Sequence, residues 1–285
     1  MKNSPSSKTK AQIWVVDNHN FVTRSDQLAT EEPLEIRLTF PKQTIAVTMR
    51  TPGADFDLAA GFLYSEGIIK NREDIEKISY CIDPEIDGEQ RQNIVNITLK
   101  SELNPNLKTL ERHFFTTSAC GICGKASIES LHIKGFSAIP LKSEVPAEVI
   151  YSLPEKLSNA QRVFKSTGGL HAAALFDTQG ELLKLREDVG RHNALDKLIG
   201  SEFLAGILPL NNHIVMVSGR SSFEIIQKCI TVGVPIVCAV SAPSSLAVEI
   251  AREFNITLIG FLRGKKFNIY SGVERIKVGQ KIEYT

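Results

Sequence analysis

The sequence predicts an α/β protein with a smaller α+β unit ahead of it, and three observations carry that expectation. From residue 213 onward, short apolar runs alternate with helical periodicity, as in a parallel sheet with right-handed crossovers. Before residue 100 the apolar runs are short, broken by Pro33, Pro41 and Pro52, and accompanied by a single helical stretch. Between these halves lies a glycine-rich C-x-x-C segment, Cys120 to Cys123.

In chain order, residues 1–10 are polar and lack an apolar signal core, so a disordered tail is expected there. Alternating or β-branched runs at 12–16, 34–38 and 44–48 predict strands of an antiparallel sheet. Asp55 opens a helix on which Phe56, Ala59, Phe62 and Leu63 share a face, and Gly67 is placed to end it. A strand at 93–99 completes an α+β domain expected over 11–112, followed by a flexible C-x-x-C loop at 113–126 on the domain junction. The rest, 127–285, reads as an α/β cofactor-binding domain. It begins with a helix from Pro154 to Phe164, where proline is tolerated in the first turn, stopping before Gly168 and Gly169. Strands at 170–176 and 182–185 flank a hairpin turn, and 186–197 forms a charged strand-to-helix corner. Strands at 213–217, 235–240 and 256–262 then alternate with helices at 222–232 and 244–254.

Composition narrows the function classes. With 285 residues, 42% of them apolar, the chain can bury two ordinary cores. A formal net charge of +1 gives no general attraction to nucleic acid or anionic lipid, so neither partner is expected. No run approaches the roughly 18 apolar residues of a membrane span, which suggests a cytoplasmic protein with reduced thiols.

Of five cysteines, Cys229 and Cys238 lie in apolar runs and read as small buried hydrophobes, and Cys81 has no partner in sequence. C-x-x-C is also half of a zinc site, but no second pair exists, so no structural zinc is expected. Glycines around Cys120 and Cys123 free the backbone, and Lys125 favours thiolate over thiol. Thiol chemistry is the leading reading.

Three turns follow the strands of the second half, where ligands of open sheets gather. Ser218, Gly219, Arg220, Ser221 and Ser222 lead into one helix, and the serine-rich 241–245 leads into another; free N–H groups at a helix start suit phosphate. Serines also simply cap helices. The third turn, Phe261, Leu262, Arg263, Gly264, Lys265 and Lys266, carries three cations around a glycine and resembles a pyrophosphate clamp, or else exposed charge. At the corner, His192 could exchange protons near neutral pH with Asp188 orienting it, and Arg191 and Asn193 stand beside them; a capped helix with surface ion pairs explains the same residues. His171, in an alanine-rich strand, reads as a core histidine.

Taken together, the motifs at 58–69, 118–125, 167–173, 187–197, 218–222 and 261–264 resemble the formate dehydrogenase accessory sulfurtransferase family, FdhD. The resemblance implies a homodimeric cytoplasmic sulfurtransferase that accepts persulfide sulfur from a cysteine desulfurase. It passes that sulfur to the molybdenum bis(molybdopterin guanine dinucleotide) cofactor of the formate dehydrogenase catalytic subunit. It puts the persulfide on Cys120, with Cys123 assisting, and the cofactor on the stretch from Phe261 to Lys266, where guanine nucleotides would be mimics. It also implies a three-layer cytidine-deaminase-like fold for the second half, without deaminase zinc chemistry, because His171 is followed by Ala172 and Ala173 and Cys120 is preceded by Ala119. The residues alone also admit a dithiol oxidoreductase or a nucleotide-binding scaffold protein.

Overall fold

The computed structural model describes residues 6–101, 131–132, 135–141 and 144–279. The loop expected at 113–126, with Cys120 and Cys123, lies outside them.

Strands β1 (Lys8–Asp17), β2 (Asn20–Ala29), β3 (Glu32–Leu38) and β4 (Gln43–Arg50) lead into helix α1 (Asp55–Ser65), then β5 (Ile75–Tyr80) and β6 (Ile94–Leu99). Next come β7 (Val145–Pro146), α2 (Ala147–Ala160), α3 (Arg162–Thr167), β8 (His171–Asp177), β9 (Leu182–Asp188) and α4 (Arg191–Leu204). The remainder is β10 (His213–Val217), α5 (Phe223–Thr231), β11 (Ile236–Ala239), α6 (Ser245–Glu253), β12 (Thr257–Arg263), β13 (Lys266–Ser271) and β14 (Ile276–Lys277). None of these helices is long and apolar enough to cross a membrane.

Two compact units result, and they do not follow sequence order. The first contains the described part of 1–115 together with Gln161–His171 and Glu187–Leu204; the second contains the described part of 116–160, Ala172–Arg186 and the described part of 205–285. The charged corner and its helix α4, expected in the cofactor-binding half, therefore pack within the first unit.

In the first unit β1 and β2 form a separate antiparallel ribbon, and β1 begins at Lys8, inside the segment expected as a disordered tail. A four-stranded sheet runs in the order β4-β3-β6-β5. It is mixed rather than antiparallel, because β6 pairs parallel to β3 after the crossover through α1 and β5. Leu34, Ile36 and Leu38 are buried on one face of β3, while Glu35 and Arg37 pair at 2.8 Å between them in sequence, the period-2 alternation of a strand with one core face. Helix α1 buries Leu58, Ala59, Ala60, Gly61 and Leu63, leaving Phe56 and Phe62 half-buried, so the apolar face is turned from the one expected. Gly67, at φ 77°, ends the helix as anticipated, with its N–H donating to the Tyr64 carbonyl.

The second unit is built on a six-stranded sheet in the order β13-β12-β11-β10-β8-β9. Its central strands β10, β11 and β12 are parallel, and β8 and β13 flank them antiparallel. Ala172, Ala174, Phe176, Ile214, Met216, Ile236, Cys238 and Ile259 join Ile150, Leu153 and Leu157 of α2 in one core. The alternate residues Ala173, Leu175, Val215, Val217, Val237 and Ala239 are buried too, so both faces of the sheet are covered. Helix α2 starts at Ala147 and keeps Pro154 inside it, where a start had been expected. An internal proline costs about 3 kcal/mol. Burying Ile150, Leu153 and Leu157 at helical spacing returns roughly 1.5–3 kcal/mol each, enough to hold the helix through it.

Candidate functional site

The three turns singled out by sequence meet at the carboxyl ends of β10, β11 and β12. Ser221 bridges Pro243, and the Ser244 N–H donates to the Ser221 carbonyl at 3.0 Å, joining the first two turns. The Phe261 N–H donates to the Ser241 carbonyl at 3.2 Å, joining the third. Gly260 makes this last approach possible: a Cβ there would stand 3.0 Å from the Tyr270 ring, 3.1 Å from Pro243 Cδ and 3.1 Å from the Ser241 oxygen.

The serines divide by role. Ser218 Oγ accepts from the Ala172 N–H at 2.9 Å, extending the β8–β10 pairing one residue past the end of β10. Ser244 Oγ accepts from the Ala247 N–H at 3.2 Å and caps α6, the bland reading of that motif. Ser222 stands at the N-cap of α5 without a side-chain capping bond. Ser221 Oγ is fully buried and has no hydrogen-bond partner among the described residues. Gly219 is buried, and Arg220 is exposed.

The third turn is a β12–β13 hairpin rather than a lead into a helix. The register slips between Gly260 and Arg263, and Phe261 adopts φ 53°, a left-handed conformation unusual for an aromatic residue. Phe261 is 49% exposed, an apolar ring held out beside Arg263, Lys265 and Lys266, all exposed, while Leu262 is buried. Gly264, at φ 53°, makes the tight turn. Two serine-bearing helix starts, four exposed cations and a projecting aromatic ring suit a ligand with phosphates and a stackable base.

The charged corner lies in the first unit and is largely spent on structure. Asp188 is fully buried, and Lys197 Nζ sits 2.6 Å from its Oδ2. The Thr51 N–H donates to Oδ2 at 3.1 Å, and the Gly190 N–H and Asn193 Nδ2 donate to Oδ1 at 2.8 and 3.2 Å. Asn193 Nδ2 also reaches the Met49 carbonyl at 2.8 Å, and Lys197 Nζ the Thr51 carbonyl at 2.7 Å. Asp188 thus locks the turn between β9 and α4, and Arg191 and His192 stand half-buried at the helix start. His171 is half-buried rather than a core residue; burial first, then the Arg191 charge, lowers its pKa from 6.5, and Asp188 opposes the change.

Gln161 was missed by sequence reasoning, which had placed it inside a helix. It stands at the break between α2 and α3 as the N-cap of α3, 5% exposed. Of the remaining thiols, Cys229 and Cys238 are fully buried as expected; burial raises the Cys229 pKa to about 12 and pushes Cys238 up as well. Neither is a candidate nucleophile.

A profile of the FdhD/NarQ family matches residues 29–277. A Streptomyces avermitilis protein named "Sulfur carrier protein FdhD" is 51% identical over 259 residues, 89% of this chain and 90% of that one. A Sulfurisphaera tokodaii protein of the same name is 47% identical over 268 residues, covering 94% and 98%. The crystal structure of a formate dehydrogenase accessory protein from Desulfotalea psychrophila matches with a TM-score of 0.73 at 25% identity, over 95% of this chain and 99% of that one.

Proposed function

The chain belongs to the FdhD/NarQ family, and on that premise we propose that it is a sulfur carrier that activates formate dehydrogenase by sulfurating its molybdenum cofactor. Its relatives named as sulfur carriers support the class of activity. The single structural observation that supports the acceptor is the convergence of three anion-suited turns at the strand ends of the second unit.

In this reading Cys120 thiolate attacks the outer sulfur of a persulfide on a cysteine desulfurase. The donor S–S bond breaks, its electron pair leaves with the donor cysteine as thiolate, and Cys120 becomes the persulfide. Cys123 then attacks the inner sulfur of that persulfide. A Cys120–Cys123 disulfide forms and the outer sulfur departs as hydrosulfide toward the acceptor, after which a cellular dithiol restores both thiols. The acceptor is molybdenum bis(molybdopterin guanine dinucleotide), bound as substrate by Arg220 and Ser222 and by the 261–266 hairpin. Arg263, Lys265 and Lys266 pair with its phosphates, and Phe261 offers a face for its guanine. The chain works in the reducing cytoplasm as a homodimer, its donor the desulfurase and its recipient the formate dehydrogenase catalytic subunit.

Binding of guanosine diphosphate tests the acceptor site without sulfur. Calorimetry should show saturable binding that Arg263→Ala weakens about tenfold or more, the scale of a lost charge-assisted pair. Equal affinity in the variant would remove the hairpin from the site.

A further inference from the structure

We infer that Gln161, Arg191 and His171 form a pocket of hydrogen-bond donors in the first unit that holds an anionic group of a ligand. The inference goes beyond the sulfur-carrier reading and does not need it.

Two observations on different segments carry it. Gln161 Nε2 and Arg191 Nε are both buried, and neither has a hydrogen-bond partner among the described residues. A buried donor left without an acceptor costs about 1–3 kcal/mol, so two such groups at one corner mark a place where an acceptor belongs.

The chain brings them together. Glu187 accepts the Val163 and Phe164 N–H groups at 3.1 and 2.8 Å, which fixes the start of α3, with Gln161 as its N-cap, against the end of β9. Arg191 opens α4 three residues beyond Asp188, the last residue of β9. His171 opens β8, the antiparallel hairpin neighbour of β9 and of equal length, so it stands level with the Glu187–Asp188 end of that strand.

The nearby carboxylates have other duties. Both Glu187 oxygens hold α3, and both Asp188 oxygens are taken by Lys197, Thr51, Gly190 and Asn193. Near the Glu187–Asp188 end of β9 stand a guanidinium and an amide whose buried donors lack partners among the described residues, and an imidazole that burial and Arg191 keep neutral near pH 7, so that one ring N–H can donate. Donors without acceptors select an anion, and a guanidinium Nε–H directs it.

The Arg191 Nε–H signal of the ¹⁵N-labelled full-length protein reads the site directly, assigned by its loss in Arg191→Lys. Titration with inorganic phosphate and, separately, thiosulfate should shift that signal saturably. A response to phosphate alone points to a phosphate-bearing ligand, to thiosulfate alone a sulfur anion, and to both a general oxyanion site. Gln161→Glu, which replaces the donor with a negative acceptor, should weaken binding about tenfold or more. Should that variant fail to fold by its thermal midpoint, Gln161→Met serves with the same expected loss, and Arg191→Lys, at a half-exposed position, gives the third comparison by calorimetry. No saturable shift with either anion, or unchanged affinity in the folded variants, overturns the inference. A Cys120→Ser, Cys123→Ser double variant should bind the anion normally, so this result and that of the sulfur-carrier reading stay separable.

Discussion

Gly61 of α1 and Gly200 of α4 lie against each other: a Cβ on Gly200 would stand 2.6 Å from the Gly61 nitrogen, and one on Gly61 would stand 2.8 Å from the Gly200 nitrogen. Each added methyl would also run into the opposing backbone, at the carbonyl oxygens of Asp57 and Asp196. Neither helix can move aside cheaply, because α4 is buried from Asn193 to Phe203. This crossing joins the segment 187–204, far away in sequence, to the N-terminal part of the first unit.

Gly200→Ala should therefore destabilise the protein by about 3 kcal/mol or more, since the clash is with backbone rather than a yielding side chain. Urea unfolding checks it; a loss below about 1 kcal/mol would mean that the helices separate freely.

The Asp188–Lys197 pair makes a second prediction. Both side chains are almost inaccessible, at 0% and 2%, so Lys197→Met leaves a buried carboxylate without its cation and should cost about 3–5 kcal/mol. Replacing both partners by apolar residues should cost less than the sum of the single changes, measured by a double-mutant cycle.

Acid sensitivity gives a third. The His171 pKa is lowered from 6.5 by burial, then by Arg191. Well above 6.5 the ring is neutral in folded and unfolded states alike. As pH falls through 6.5 the unfolded chain takes a proton that the folded ring resists, so stability declines until the folded pKa is passed. His171→Gln should flatten the stability-versus-pH curve in that window, followed by denaturant midpoints. An unchanged slope would locate the acid-sensitive groups elsewhere.

The strand–helix alternation from residue 213 was legible because buried parallel strands and amphipathic helices write opposite periodicities. Each element from β10 to β12 falls within about two residues of its expected place, the usual uncertainty of an element boundary. The ribbon strand β2 was not legible: its residues, among them Arg24, Ser25, Asp26 and Gln27, are nearly all exposed, so no apolar face reports the strand. The parallel pairing of β6 with β3 was hidden for another reason, since strand direction is set by a crossover rather than by composition. At the candidate site, glycines, serines and cations signalled the turns, but nothing local in sequence showed that they would be bonded together through Ser221, Ser244, Ser241 and Phe261. Gln161 escaped because an amide looks like any helix residue until its surroundings are known, and His171 was read as a core histidine because the alanine-rich strand around it does not show that it stands at a half-buried strand end.

Gly260 provides a fourth prediction. Three contacts at 3.0–3.1 Å leave a methyl just short of room, so Gly260→Ala should shift Phe261 and the 241–245 turn by a few tenths of an ångström. Guanosine diphosphate affinity should drop several-fold, a loss of about 1 kcal/mol, while the thermal midpoint changes little. Full affinity would mean that the nucleotide does not use this pair of turns.

The sulfur-carrier proposal is tested most directly on the thiol itself. Intact-protein and peptide mass spectrometry, after incubation with a cysteine desulfurase and cysteine, should find one added sulfur on Cys120, retained in Cys123→Ser and lost in Cys120→Ser. Absence of that added sulfur from the wild-type protein while the desulfurase is turning over would contradict the account.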